Sequence, residues 1–132
     1  MNSFQKDISI VIITRNRVEL LTKCLFPLVD QIRHREAIEV LVVDNNSSDT
    51  TVDFLIDFAA KNSQFHYFIE PQVGASFARN KGIAMSKGSW LCFLDDDGIP
   101  DSDFIDKLVF TITNYDFDGF GGMWYPRSES VV

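Results

Sequence analysis

The sequence predicts an α/β fold: a three-layer α/β/α sandwich around a mostly parallel sheet. Short β-branched apolar runs alternate with longer stretches of helical spacing, in the order β-α-β-α-β-α-β-α-β. The runs are nearly continuous in apolar residues, as in strands buried on both faces. A chain of 132 residues with 45% hydrophobic content suffices for a single domain over 1–132 with one core. No internal repeat, linker or low-complexity segment interrupts it.

Ile8 to Thr14, ISIVIIT, reads as the first strand. Asn16 with Glu19 three residues on reads as a capping pair for a helix. Leu20, Leu21, Cys24, Leu25, Leu28 and Ile32 recur there at helical spacing, and Pro27 is expected to kink or split the helix. Val40 to Asp44 is a second strand, and Asn45 to Ser48 a polar loop. Ser48 or Asp49 then caps a helix with apolar positions Val52, Leu55, Ile56 and Ala59. Phe65 to Ile69 reads as a third strand, with Pro71 and Gly74 punctuating the connection to the next helix. Ala75 to Ser86 reads as that helix, stopped by Gly88, and Trp90 to Leu94 as a fourth strand. Pro100 and Asp101 open a last helix with Ile105, Leu108, Val109 and Ile112 on one face. Phe117 to Tyr125 is the expected fifth strand, weakened by Gly119, Gly121 and Gly122, and Ser128 to Val132 reads as a loose tail.

A formal net charge of −7 disfavours nucleic acid as a partner, because a phosphate backbone is repelled by an acidic surface. Any anionic ligand then needs local positive charge or a metal. Cys24 and Cys92 belong to no CxxC pattern and read as free core thiols. No apolar run approaches the ~18 residues of a membrane span, and Met1 to Asp7 carries no signal-peptide pattern. The expected location is the cytoplasm, with peripheral contact at the inner face of the membrane allowed.

In an open parallel sheet, ligands bind beyond the carboxyl ends of the strands. Those ends carry Thr14, Arg15 and Asn16, then Asp44 and Asn45, then the loop around Gln72 to Gly74, then Asp95, Asp96 and Asp97. Three consecutive carboxylates crowd like charges unless a counter-ion is present, and Mg²⁺ is commonly held by one or two carboxylates plus substrate phosphates. The plainer alternative is a solvated turn whose aspartates cap the next helix. Asp44 reads either as the start of an Asx-turn or as a hydrogen-bond partner for a base or ribose. Arg79 reads as a surface arginine or as a partner for carboxylate or phosphate, and it shares helical spacing with Gly82. His34 and His66 have no partner at ligand spacing and read as structural.

Together, ISIVIITRNR, VLVVDNNSSDTT and GASFARNKGIAMSKGSWLCFLDDDGIPD resemble the family 2 glycosyltransferases, from Ile8 to about Tyr125. The resemblance implies the Rossmann-like GT-A fold of nucleotide-diphospho-sugar transferases. It also implies a nucleotide-diphosphate sugar donor (UDP-, dTDP- or GDP-linked) and a glycan, lipid or small-molecule acceptor. Thr14 and Arg15 would border the nucleotide, where many members carry an aromatic at the position of Arg15. Asp44, with Asn45, would contact the base. Arg79 would lie near the diphosphate or the acidic turn, and Asp95 and Asp96 would face the ribose and sugar. Asp97, joined by Asp95 in a DXD-like motif, would hold Mn²⁺ or Mg²⁺. Family members usually continue well past a fifth strand, with the acceptor site and, in inverting members, the general base. None of Asp116, Asp118 or Glu129 is assigned that role, so the expectation is a donor site without the acceptor half, and self-association of an exposed sheet face. A non-catalytic nucleotide-sugar-binding or interaction module is an alternative. A nucleotidyltransferase is a further one, disfavoured because TRNRVEL is not a glycine-rich basic loop.

Overall fold

The computed structural model describes residues 7–122. Its elements run β1 (Ile8–Thr14), α1 (Val18–Ile32), β2 (Ile38–Asp44), α2 (Thr51–Lys61), β3 (Phe65–Ile69), α3 (Ala75–Met85), β4 (Trp90–Asp95) and α4 (Phe104–Asn114). The strands form one parallel sheet in the order β3-β2-β1-β4. β1 and β2 lie in the middle, which is why their sequences are apolar at nearly every position. The edge strand β4 instead alternates between half-buried and exposed residues.

One sheet face carries Ile8, Ile10, Ile12, Ile38, Val40 and Val42. They form the main core with Leu21, Cys24, Leu25, Leu28 and Ile32 of α1, Leu55 and Phe58 of α2, and Ile105 and Leu108 of α4. The other face receives α3 through Ala78 and Gly82, the buried residues of that helix. Helices therefore cover both faces, as expected. Gly82 is required there: a Cβ would stand 2.4 Å from Val11 Cγ1. Since Ala78 and Gly82 form the sheet-facing stripe, Arg79 is turned outward rather than sharing a face with Gly82.

The helix termini differ from the sequence expectations. Pro27 does not split α1, which runs unbroken from Val18 to Ile32 on its buried face. Asn16 is no cap: its φ is 53°, in the left-handed region that asparagine tolerates, and its side chain points to another loop. Neither Ser48 nor Asp49 is the cap of α2: that position is Thr50, without a side-chain cap bond, and Asp49 sits just before it, accepting from Thr51 N at 2.9 Å and Thr51 Oγ1 at 2.5 Å. The buried face of α2 is Thr51, Leu55 and Phe58, while Ile56 is exposed. Gly88 is not a helix stop but a point of close approach, since a Cβ would meet Ser9 N at 2.5 Å. α4 begins at Phe104 rather than Pro100, and Gln31 of α1 caps it from outside. Gln31 Oε1 accepts from Ile105 N at 2.9 Å and Gln31 Nε2 donates to Asp101 O at 2.8 Å. Residues 117–122 form no strand. The remainder of the expected fifth strand, Glu129 and the expected tail lie outside the described residues.

At the end of the sheet away from the aspartates, a buried carboxylate fastens the α3–β4 connection. Glu39 Oε2 accepts from Ser9 Oγ at 2.6 Å and from Lys87 N at 2.8 Å. Ser9 Oγ in turn accepts from Gly88 N at 2.8 Å. No helix among the described residues is long and apolar enough to cross a membrane.

Candidate functional site

The chain leads from β1 to β2 to β3 in one direction, then returns past β1 to place β4 on the other side. The strand order thus reverses between β1 and β4, and the crevice of an open α/β sheet lies beyond such a reversal. Register places the candidate residues in a row across it. Thr14 pairs with Asp44 of β2, and Ile13 pairs with Asp95 of β4, so Thr14 stands beside Asp96.

The three aspartates of the turn are not equivalent. Asp96 is buried, at 6% exposure, while Asp95 and Asp97 are exposed. Thr14 Oγ1 donates to Asp96 Oδ2 at 2.9 Å, and Arg17 donates to Asp96 Oδ1 at 3.3 Å. Burial pushes the Asp96 carboxyl above the usual carboxylate range. The Thr14 hydroxyl and the Arg17 guanidinium pull it back down, and the nearby Asp97 charge adds to the rise. Beneath the turn lies Cys24, whose thiol faces Asp95 O at 3.5 Å.

Asp44 is wholly buried at the end of β2. Its Oδ2 accepts from Ser47 N at 3.0 Å, three residues on, so it closes the loop one residue beyond the span of the Asx-turn expected from sequence. Its Oδ1 is buried with no hydrogen-bond partner among the described residues. Leaving such an acceptor unmatched costs about 1–3 kcal/mol, which makes it the unsatisfied polar group of this rim among the described residues. Asn45, by contrast, has its amide engaged by the protein. Asn45 Nδ2 donates to Glu70 O and Gln72 O at 3.1 and 2.8 Å, and Oδ1 accepts from Gly74 N at 2.9 Å. It shapes the β3–α3 loop, whose Gly74 has φ 146°.

Asn16 joins the β1 and β2 loops. Its Oδ1 accepts from Ser48 N at 2.7 Å and Asp49 N at 3.2 Å, while Asn16 N donates to Ser47 Oγ at 2.8 Å. Arg15 and Arg79 are exposed, and neither pairs with a described carboxylate. The basic residue brought to the acidic turn is Arg17, which sequence reasoning missed. The signal for it was its place just before the helix after β1, on the rim that Thr14 occupies.

A hard divalent ion is the group that the exposed carboxylates of the turn could hold. Asp95 and Asp97 offer outward carboxylates, the one or two that such an ion takes from protein when substrate oxygens complete its shell. No group of three or more His, Cys, Asp or Glu able to cage a metal is present among the described residues.

A family model for glycosyl transferase family 2 matches residues 9–132. The chain belongs to glycosyl transferase family 2. This family 2 chain is 36% identical to Glycosyltransferase AglE of Haloferax volcanii, over 100% of its own length and 45% of that protein. It is also 36% identical to the poly(ribitol-phosphate) beta-glucosyltransferase of Bacillus spizizenii, over 92% of this chain and 20% of that one. The chain thus spans less than half the length of either relative. Among solved structures, S. aureus TarS 1-349, in a complex with UDP, superposes with a TM-score of 0.74 at 21% identity, covering 92% of this chain and 38% of that one. The mannosyltransferase PcManGT from Pyrobaculum calidifontis, in complex with GDP-Man and Mn²⁺, gives 0.71 at 22% identity, covering 81% and 32%. At such identities these likenesses establish the fold of this family 2 chain, which is that of the GT-A glycosyltransferases.

Proposed function

We propose that the chain forms the donor-binding part of a glycosyltransferase. It would hold a nucleotide-diphosphate sugar with Mn²⁺ or Mg²⁺ and present the sugar to a hydroxyl of a glycan, lipid or small molecule. The observation that carries this reading is the unmatched Oδ1 of Asp44, set in one row with Thr14 and the acidic turn. A carboxylate oxygen there calls for a ligand N–H or O–H. Uracil, thymine and guanine present a ring N–H on their pairing edge, and cytosine presents an exocyclic N–H there, so the unmatched oxygen calls for a base donor without choosing among them.

In this reading Asp44 receives the base and Thr14 and Arg15 border the nucleotide. Asn45 contributes by shaping the loop beside the base. Asp97 and Asp95 hold the divalent ion, Asp96 holds the turn, and Arg79 lies one helical turn inside α3, facing out toward the diphosphate side. A bound ion would neutralise the diphosphate and act as a Lewis acid on the leaving group. The mannosyltransferase neighbour's Mn²⁺ and GDP-Man support this cofactor and donor class by analogy. The transfer is proposed to be inverting, with the general base and acceptor site supplied by the further length that the relatives possess. A cytoplasmic location, at or near the inner membrane face, is part of the same proposal.

Isothermal titration tests it. UDP, dTDP or GDP is expected to bind in the presence of Mn²⁺ and far more weakly without it. Asp44→Asn should weaken nucleotide binding by about 10- to 100-fold, the loss expected for one hydrogen bond to a charged acceptor. Metal-independent binding, or none to any of these nucleotides, would overturn the reading. Donor hydrolysis without transfer activity in the full-length protein would favour a binding module over an enzyme.

A further inference from the structure

We propose that Arg17 is a positioning residue for the acidic turn: through Asp96 it determines which carboxylates of the Asp95–Asp97 run face the ligand. The inference rests on the donor-site reading above.

Three adjacent carboxylates repel one another and, left alone, would all turn to water. Here the middle one is drawn inward. Thr14 Oγ1 takes Asp96 Oδ2 and Arg17 takes Asp96 Oδ1, so each oxygen has a protein donor. The Asp96 side chain is 8% exposed while Arg17 is 52% exposed, so the guanidinium reaches down from the rim to a buried partner. The chain alternates around this anchor: Asp95 out, Asp96 in, Asp97 out. Arg17 can act as a fixed strut because its backbone begins a helix, with Leu21 N donating to Arg17 O at 2.9 Å. Neither Arg15 nor Arg79 pairs with a described carboxylate, so the role falls to Arg17.

Removing Arg17 has two opposite consequences. The buried Asp96 carboxylate keeps only a hydroxyl partner, which favours its rotation to solvent. The turn then presents more negative charge but in the wrong arrangement. A bare cation gains from the charge, whereas a diphosphate-bound cation loses the geometry. Loss of fold would weaken both.

The experiment uses Arg17→Ala, Arg17→Lys, Asp96→Asn and the Arg17→Ala/Asp96→Asn pair, titrated with Mn²⁺ alone and with UDP at saturating Mn²⁺. Arg17→Ala is expected to bind Mn²⁺ alone as tightly as the unaltered chain or more tightly. It should bind UDP with Mn²⁺ about tenfold more weakly, the scale of an outer residue that orients metal ligands. Arg17→Lys should fall between. In the Asp96→Asn background, Arg17→Ala should add little, because the buried charge it serves is gone. Arg33→Ala, which breaks only an exposed pair with Asp30, should change nothing. A thermal-unfolding cycle over the unaltered chain, Arg17→Ala, Asp96→Asn and the pair reads the Arg17–Asp96 coupling without any ligand. Equal weakening of Mn²⁺ and UDP by Arg17→Ala, or simply additive effects in the cycle, would overturn the positioning role while leaving the donor site standing. If the unaltered chain binds no nucleoside diphosphate with Mn²⁺, the donor reading falls and this inference with it.

Discussion

Two buried aspartates, Asp44 at the end of β2 and Asp96 just past β4, stand on either side of β1 and have opposite states. Both oxygens of Asp96 are held by the protein, while one oxygen of Asp44 has no donor among the described residues. Sequence alone marks both as strand-end carboxylates and has no means to tell them apart. The difference depends on Thr14 and Arg17, which lie 82 and 79 residues from Asp96 along the chain. Asn16 misleads for the same reason. Its local context looks like a helix cap, but a left-handed backbone turns its amide toward Ser48 and Asp49. Cys24 is the core thiol that its sequence context suggests, and its environment makes a pH-dependent outcome. Burial, with the charges of Asp96, Asp97 and Asp95, pushes its pKa from the ordinary 9.0 to about 12. The folded chain thus holds that proton more tightly than the unfolded chain. The stability this supplies is full below pH 9 and is lost as the pH rises toward 12. Urea unfolding between pH 8 and pH 11 should show a decline that is shallower in Cys24→Ala. Parallel declines in the two proteins would contradict the assignment.

At the scale of elements, the strands are the most legible because burial on both faces leaves β1 and β2 apolar except at Ser9, Thr14, Glu39 and Asp44. The existence of the helices is legible too, but their ends are not. α4 is capped by Gln31, a partner 74 residues away in the chain from Ile105 and invisible to any local motif. The sequence indicates α3 and a packing reason for Gly82, but its spacing points to Arg79 as the companion on that face, where the structure has Ala78. That stripe makes a definite prediction. Gly82→Ala would put a methyl 2.4 Å from Val11 Cγ1. Despite alanine's better helix propensity, overpacking should destabilise the chain by about 1–3 kcal/mol, read as a lower urea midpoint. A Val11→Ala replacement in the same chain should recover part of the loss by opening the space. Stabilisation by Gly82→Ala alone would refute the close approach.

For the whole molecule, the parallel sheet and its covering helices are legible in the alternation of patterns, and the rim in the rule that ligands sit beyond strand ends. The strand order is not, since a pattern of alternating elements does not say on which side of β1 the fourth strand lands. That placement leaves one side of the sheet thinly covered at β4, where Leu91 and Phe93 are 36% and 49% exposed. Apolar surface on a strand with no second neighbour among the described residues favours association. Light scattering should therefore report a mass that rises with concentration, and Phe93→Ser should shift the chain toward monomer. A concentration-independent monomer mass for the unaltered chain would count against this.

The clasp of Glu39, Ser9 and Gly88 has a consequence for anyone who would redesign this protein. It anchors the base of β1, whereas Thr14 anchors the top, with seven residues of strand spanning the two ends. From Ser9 to Thr14, at about 3.3 Å per residue, that separation is about 17 Å, and the two hydrogen-bond sets share no side chain. Energetic effects at sites this far apart are expected to add. Ligand preference can thus be varied at one end while thermal tolerance is adjusted at the other, each against a background the other leaves unchanged.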